Sequence, residues 1–412
     1  MRSPKLAKGS NAWYRYYAGY SAEFVQDAIA DLGLGTDHLI LDPWNGSGTT
    51  TAVSRALGVP AIGLDANPAL VVIARARLLG ADALESLEPL GDDIIRHAAE
   101  FREVFDEPDP LFAWFDIHTA RETRSIERAI RQVLVAHSLA DPNAKVDGLS
   151  SIAAVYYVAL FHAVREQIAP YIGTNPTWPK SAPQEARVRL PVGAMNAAFR
   201  RGVLELRGKL QPTPVAATKV RVRRASSTEV PMSDDTVDAV VTSPPYLTRI
   251  DYVISAKPEL AVLGYSDADL RALRDLMLGT PTITGVDSGV RAEWGETAAS
   301  LLEAVEQHKS KASSGYYRKY FAQYLTGLWQ SIAELRRVVR SGGRCLIVVQ
   351  DSYYKEVHVD LAAIVSEMGA AAGFDNLAPL AFPVARTKAS MNRGARSWRT
   401  SFGAVETVVN LA

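Results

Sequence analysis

Short apolar runs alternate with helical patterns in the first eighty residues. Apolar runs at 39–41 and 61–64 predict strands, because each is short and bounded by turn residues. Apolar spacing of three and four residues predicts the flanking helices, at 24–32, 49–57 and 68–79. Strands that alternate with helices favour a parallel sheet with helices on both faces.

The rest of the chain divides into a helical region and a second α/β region. The segment 82–217 lacks convincing strands, and its spacing predicts helices at 92–104, 121–137, 150–168 and 194–210. From 218 the alternation returns, with strands expected at 237–241, 344–349 and 405–411 and helices at 320–339 and 358–371. The prediction is an α/β core in two halves, 1–81 and 218–412, interrupted by a large helical insertion at 82–217.

Composition narrows the class of protein. Apolar residues make up 48% of the 412 residues, which is enough to bury a large core. Forty-five Lys and Arg balance forty-five Asp and Glu, so a polyanion would have to bind a local basic patch. The single cysteine, Cys345, excludes a disulfide framework, and the seven histidines show no metal-ligand spacing. Without an apolar signal segment or a run long enough to span a bilayer, a cytoplasmic protein is expected.

The first candidate site is a glycine-rich turn between a strand and a helix. It comprises Asp42, Pro43, Trp44, Asn45, Gly46, Ser47, Gly48, Thr49 and Thr50. Glycines let a ligand approach the backbone, and the free amides of a helix start suit a polar or anionic group. Asp65 ends the next strand, where a carboxylate can accept hydrogen bonds from ribose hydroxyls. The alternative for Asp65 is helix capping, because Asn67 and Pro68 also resemble a helix start.

The second candidate site follows the strand predicted at 237–241. Its sequence is Thr242, Ser243, Pro244, Pro245 and Tyr246. Two prolines stiffen the turn and remove two donors, which leaves carbonyl oxygens available as acceptors. With the Ser243 oxygen and the Tyr246 ring, the turn suits a planar base that carries an amino group. The alternative is an ordinary Pro-Pro turn with a surface tyrosine.

Together the two sites resemble the DNA amino-methyltransferases. The first is similar to the D-P-F-x-G-S-G-T-T cofactor turn of that family, and the second to its S/D/N-P-P-Y catalytic motif. Two further segments resemble the family, YRYYAGYSAEF at 14–24 and ELRRVVRSGGRCLIV at 334–348. The resemblance covers residues 10–80 and 218–412 and implies a Rossmann-like S-adenosylmethionine methyltransferase fold.

The resemblance also implies residue roles. S-adenosylmethionine would be bound by Tyr17, by residues 42–50, by Asp65, Ala66 and Asn67, and by Thr242, and no metal is needed. The catalytic residues would be Ser243, Pro244, Pro245 and Tyr246. Two features depart from the family pattern: Trp44 replaces the usual Phe, and the stretch 224–227 lacks the acid that often binds the cofactor adenine, for which Asp234 or Asp235 could substitute.

The expected reaction is methyl transfer to the exocyclic amino group of a flipped base in double-stranded DNA. The Ser-Pro-Pro-Tyr form is most often found in cytosine-N4 enzymes, so that target is favoured. Adenine-N6 methylation, methylation of guanine in tRNA, and an idle nucleic-acid-binding module remain alternatives. A cognate restriction nuclease is a possible partner, and the insertion is the expected target-recognition region.

Several residues are candidates for contact with the nucleic acid. Arg249, Asp251 and Tyr252 follow the catalytic motif closely, although a capped helix start explains them equally well. A basic cluster without an intervening acid is expected to bind phosphates, and it comprises Arg386, Lys388, Arg393, Arg396 and Arg399 together with Trp398. The segment 187–224 carries ten Lys or Arg and one acid, and either a solvated helical face or a phosphate surface would explain it.

Overall fold

A computed structural model provides the structure of the protein. It describes residue 14 and residues 19–101, 108–135, 146–173, 177–210, 219–248, 250–283, 289–384 and 404–412. Statements below about absent features refer to these residues.

One sheet forms the centre of the described structure. Its seven strands have the order β3-β2-β1-β4-β5-β9-β8. Strands β1 to β5 run parallel, whereas β9 runs antiparallel to both of its neighbours. The strands are β1 Ile40–Asp42, β2 Ala61–Asp65, β3 Val220–Arg224, β4 Val237–Thr242, β5 Val339–Gln350, β8 Asn376–Val384 and β9 Ala404–Leu411. A separate antiparallel pair consists of β6 Ser352–Tyr354 and β7 Val357–Val359.

Burial on both faces explains why the central strands are so apolar. Every residue of β1 and β4 is buried, as expected for parallel strands that are covered by helices on both sides. The covering helices of the core are α1 Ala22–Asp31, α2 Thr49–Leu57, α3 Pro68–Ala76, α11 Gly295–Gln307, α12 Arg318–Val338 and α13 Leu361–Ala371. The mainly parallel, Rossmann-like α/β architecture predicted from the sequence is therefore confirmed.

Where the structure describes the segment between α3 and β3, it contains helices and one isolated bridge between Phe115 and Val188, but no strand. Its main helices are α4 Leu87–Ala98, α5 Ile117–Leu134, α6 Ser151–Gln167 and α7 Ala194–Lys209. Apolar residues of α6 and α7 share one buried cluster with α3, so the insertion packs directly on the core. The helix expected at 92–104 begins five residues earlier, because Pro89 lies in its first turn, where a missing amide proton costs nothing.

Three short helices follow the second candidate site and pack against the insertion. They are α8 Tyr252–Ser255, α9 Lys257–Leu263 and α10 Asp267–Asp275. The remaining helical turns are Ala81–Ala83, Pro110–Ala113, Ala169–Tyr171, Gln184–Ala186, Ala292–Trp294 and Ser313–Tyr317. The division into three regions at 81 and 217 stays a prediction.

Candidate active site

The glycine-rich turn at 42–50 and the Pro-Pro turn at 242–246 lie at the same edge of the sheet. Strands β1 and β4 are parallel neighbours, with Ile40 opposite Ala239 and Leu41 opposite Val240. The strand order reverses between them, since β2 and β3 lie on one side and β5 on the other. Ligands of open α/β sheets bind at such a reversal, beyond the carboxyl ends of the strands.

A buried hydrogen bond joins the two turns directly. The Thr242 hydroxyl donates to Asp42 Oδ1 at 2.6 Å, and the backbone amide of Trp44 donates to the same oxygen at 3.2 Å. Asp42 is only 2% exposed, and this burial raises its pKa above the usual aspartate value. Its carboxyl group therefore connects the two loops.

Tyr20, which lies just before α1, also contacts the residues that connect the two turns. Its hydroxyl lies 3.0 Å from Asp42 Oδ2, 2.5 Å from Thr50 Oγ1 and 3.0 Å from the carbonyl oxygen of Val241. Sequence reasoning missed this residue, although it lies in the tyrosine-rich segment 14–24 that carried the family resemblance. Tyr17, which was selected there, lies outside the described residues.

The glycine turn has the backbone geometry that its sequence requires. Gly46 and Gly48 have φ angles of 50° and 84°, in the left-handed region that favours glycine. A Cβ atom on Gly48 would lie 2.8 Å from the Cβ of Ala74 in α3. Gly48 is the N-cap of α2. Because glycine has no side chain, it offers no hydrogen-bond acceptor to the backbone amides in the first turn of α2.

Asp65 holds the glycine turn against the end of β2. Its Oδ2 accepts the Gly46 amide at 2.9 Å, and its Oδ1 accepts the Asn67 amide at 2.8 Å. Burial raises the pKa of Asp65 to about 7. The N-cap of α3 is Asn67, whose side chain accepts from the Ala69 amide at 3.0 Å, so Asp65 is not the capping residue.

The two turns border one pocket of about 590 Å³, a volume that includes its open mouth. Many of its wall residues are ones that the sequence predicted for the site: Pro43, Trp44, Asp65, Ala66, Ser243, Pro244, Pro245, Tyr246 and Tyr252. Other sequence-selected residues support the loops without lining the pocket: Asp42, Asn45, Gly46, Ser47, Gly48, Thr49, Thr50, Asn67 and Thr242.

Further wall residues were not selected from the sequence: Leu70, Ser226, Ser227, Leu276, Met277 and Leu278. Ser226 and Ser227 follow β3, in the stretch where the resemblance led us to expect an acid. Asp234 instead forms an exposed ion pair with Arg337 at 2.7 Å, and neither Asp234 nor Asp235 lines the pocket within the described ranges.

Distant residues hold the Pro-Pro turn. The Tyr324 hydroxyl in α12 donates to the Pro245 carbonyl oxygen at 2.7 Å. Among the described residues nothing donates to the carbonyl oxygen of Pro244, which stays available as an acceptor. The helix residue Tyr324 carries no sequence signal for this role beyond its aromatic character.

A chain of hydroxyl groups leads from Ser243 to a buried carboxyl group. Ser243 Oγ donates to the Tyr246 hydroxyl at 3.3 Å, which in turn donates to Glu406 Oε1 at 3.3 Å. Burial raises the pKa of Glu406 to about 7, and burial also raises the pKa of Tyr246. Glu406 lies on β9, some 160 residues beyond the motif, so no local pattern indicated it.

The residues after the motif have mainly structural contacts. Asp251 is buried, accepts the amides of Val253 and Ile254 at the start of α8, and pairs with Arg274 at 2.9 Å. These contacts match the capped-helix alternative for Asp251. Tyr252 lines the pocket. Arg249 and the basic cluster, which comprises Arg386, Lys388, Arg393, Arg396, Trp398 and Arg399, lie outside the described residues.

Acidic side chains neutralise much of the basic run at 187–224. Three ion pairs connect α7 with α4 and α6: Arg200 with Asp92 at 2.8 Å, Arg201 with Glu166 at 2.8 Å, and Arg207 with Glu88 at 3.4 Å. Arg189 and Arg224 pair with Asp116 and Asp147 at 3.6 and 3.7 Å. The paired arginines favour a helix surface that is neutralised locally over a continuous phosphate surface.

The described ranges contain neither a metal-binding cluster nor a membrane-spanning helix. They contain no group of three or more His, Cys, Asp or Glu side chains arranged to hold a metal ion. None of their helices is both long and apolar enough to cross a membrane.

Comparison with known proteins gives three relatives. The type II methyltransferase M.BsoBI of Geobacillus stearothermophilus is 25% identical over 292 residues, which cover 65% of this chain and 55% of that protein. The M.AvaI methyltransferases of a Nostoc species and of Anabaena variabilis are 25% identical over 177 residues, 40% of this chain and 36% of each relative. This chain is similar to type II methyltransferases. The matches span about half of the relatives' length or less, and no family model matches the chain.

Proposed function

We propose that this protein is a site-specific DNA methyltransferase that acts in the cytoplasm. It transfers a methyl group from S-adenosylmethionine to the exocyclic amino group of a flipped base, and the proposed target is cytosine N4. The observation that carries the proposal is the hydrogen bond between Thr242 and Asp42, because it brings the glycine turn and the Ser-Pro-Pro-Tyr turn to one pocket. The names of the type II methyltransferase relatives support the same reaction class.

The first turn fits the proposed methyl donor. Left-handed Gly46 and Gly48 permit close approach of a ligand, and the start of α2 lacks a side-chain cap. Asp65 and Trp44 add a carboxylate and an aromatic plane to the pocket wall, and Ser227 adds a hydroxyl group near the end of β3. These groups suit the amino-acid, ribose and adenine parts of S-adenosylmethionine, which supplies an electrophilic methyl group when bound.

The second turn fits an amino group that must become nucleophilic. The nitrogen lone pair of a base is delocalised into the ring until acceptors draw its hydrogens out of the ring plane. Ser243 Oγ and the Pro244 carbonyl oxygen are the acceptors that the turn offers, and both residues line the pocket. Tyr246 provides a stacking surface, a contact that contributes about 1–3 kcal/mol per base on aromatic platforms.

Double-stranded DNA is the proposed partner, and the target base must leave the stack to reach the pocket. A cognate nuclease is part of the same proposal, because the relatives carry type II names. The cytosine target rests on the serine at position 243, since that form of the motif resembles the cytosine-N4 enzymes.

Nucleoside mass spectrometry can test the proposal directly. The protein is incubated with labelled S-adenosylmethionine and either plasmid DNA or bulk tRNA, and the digested nucleosides are then identified. N4-methylcytosine in DNA is the expected product. N6-methyladenine would show that adenine and not cytosine is the target, and a methylated guanine in tRNA would show that the substrate is RNA. The absence of any labelled nucleoside would refute the proposed methyltransferase activity. Tyr246→Ala is the matched control, which should bind the cofactor but lose most transfer.

A further inference from the structure

A buried carboxyl group contacts the catalytic turn from the far end of the chain. Glu406 is 5% exposed and lies in β9 between Gln350 of β5 and Phe382 of β8. Its Oε1 accepts the Tyr246 hydroxyl, which accepts the Ser243 hydroxyl, at 3.3 Å in each case. Both distances exceed the usual 2.7–2.8 Å for hydroxyl donors, and such contacts commonly tighten when substrate binds.

The direction of these two hydrogen bonds determines what Ser243 offers to the pocket. Each hydroxyl group has a single proton. Because Tyr246 gives its proton to Glu406, the Tyr246 oxygen accepts from Ser243. Because Ser243 gives its proton to Tyr246, only lone pairs remain on its oxygen for a ligand in the pocket.

We propose that Glu406 is a positioning residue whose carboxylate fixes this direction and so keeps Ser243 an acceptor for the amino group of the target base. The inference rests on the proposed function. A protonated Glu406 could instead donate to Tyr246, which could then donate to Ser243, and the Ser243 proton would turn toward the pocket. Tyr246 would then occupy one of the two Ser243 lone pairs, and the Ser243 proton would compete with the amino hydrogens of the base.

Burial places this change in the neutral range, since it raises the pKa of Glu406 to about 7. The carboxylate is present above that pH and is lost as the pH falls through it. The strand neighbours Gln350 and Phe382 are uncharged. Asp351 directly follows β5, and its Oδ1 accepts the Val405 amide at 2.6 Å. Its Oδ2 lies 2.9 Å from Nε2 of His358 in β7.

Besides Tyr246, the described part of the pocket wall contains two other titratable groups, Tyr252 beside it and Asp65 at the glycine turn. Burial raises the pKa of Tyr252 to about 12, so it stays neutral throughout the relevant range. Burial raises the pKa of Asp65 to about 7 as well, but its oxygens bind the amides of Gly46 and Asn67. Among the described residues, Glu406 is the carboxyl group bonded to Tyr246, and its pKa is about 7.

The pH profile of turnover provides the test. With saturating cofactor and DNA, wild-type kcat should fall as the pH drops through about 7. Glu406→Gln keeps an acceptor oxygen without a titrating proton, so its plateau should be near that of wild type. Its acid limb should be shallower than that of wild type, with Asp65 as the remaining pocket group of pKa about 7. Glu406→Leu should lose about tenfold or more at pH 8, the rate equivalent of one lost hydrogen bond, with unchanged cofactor Kd. Glu356→Gln, an exposed glutamate, is the matched control and should keep the wild-type profile.

Infrared spectroscopy gives a readout that needs neither cofactor nor DNA. In wild type, Asp65 and Glu406 should both contribute protonated carboxyl absorption that titrates near pH 7. Glu406→Gln should lose the Glu406 part, and the part that remains should disappear in Asp65→Asn. An active wild type whose acid limb or infrared titration is unchanged in Glu406→Gln would overturn this inference alone. A wild type that methylates no nucleic acid would overturn the proposed function and this inference with it.

Discussion

Replacing Thr242 by valine should separate the two turns of the site. The substitution keeps the shape of the side chain but removes the hydroxyl that donates to Asp42 Oδ1 at 2.6 Å. Both residues are buried, so Asp42 would lose a donor that water cannot replace. A hydrogen bond to a charged group contributes about 1.5–3 kcal/mol, and a loss of about 2 kcal/mol in the free energy of unfolding is expected.

Urea unfolding followed by circular dichroism measures this loss, and titration calorimetry measures the affinity for S-adenosylmethionine. Thr242→Ser keeps the hydroxyl and removes only a methyl group, at a cost of about 1 kcal/mol, so it should retain cofactor affinity. Thr236→Val removes an exposed hydroxyl bonded to the Ser233 carbonyl oxygen and should stay within about 0.5 kcal/mol of wild type. If Thr242→Val costs no more than Thr242→Ser and binds the cofactor equally well, the hydrogen bond does not hold the turns together.

Three further predictions concern the same pocket. Gly48→Ala should lower stability by about 2 kcal/mol or more and weaken cofactor binding, because its Cβ would meet Ala74 at 2.8 Å from a left-handed backbone; unaltered urea unfolding would contradict this. Tyr324→Phe should lower kcat and leave the cofactor Kd unchanged, because the Pro245 carbonyl loses its donor; unchanged kcat would exclude the positioning role. The pKa of Asp65 is about 7 in the native state and 3.8 ordinarily, so between pH 4 and pH 7 only the native state holds its proton. The free energy of unfolding of wild type should therefore fall as the pH rises from 4 to 7, and Asp65→Asn should make this fall smaller. A wild-type curve with the same slope as the variant would refute that assignment.

The sequence predicted the central strands well because local patterns define them. The buried runs that form β1, β2 and β4 lie within a residue or two of their expected positions, and α2 coincides with its predicted bounds. Strand β8 was not predicted, since Pro379 and Pro383 interrupt its pattern. Prolines are tolerated there because β8 is the last strand of the sheet and one of its edges needs no ladder partner.

The supporting residues of the pocket could not be read from local sequence. Tyr324 and Glu406 lie about 80 and 160 residues from the turn that they contact, and only the order of strands and helices brings them to it. The acids that neutralise Arg200 and Arg207 also lie more than 100 residues away along the chain. Pairing at such separations depends on tertiary packing, which periodicity does not encode.

Hydrogen bonds join the helical insertion to the segment that follows the Ser-Pro-Pro-Tyr turn. Arg165 of α6 donates to Glu259 Oε2 at 2.8 Å and to the Ser255 carbonyl oxygen at 2.6 Å. Arg124 of α5 donates to the carbonyl oxygens of Val262 and Ala261 at 2.5 Å each, which are among the last carbonyls of α9 and need partners. Because these charged donors are held on helices of the insertion, a displacement of the insertion would pull on the segment after Tyr246. Movement of these helices would in this way reach the Ser-Pro-Pro-Tyr turn through Arg124 and Arg165.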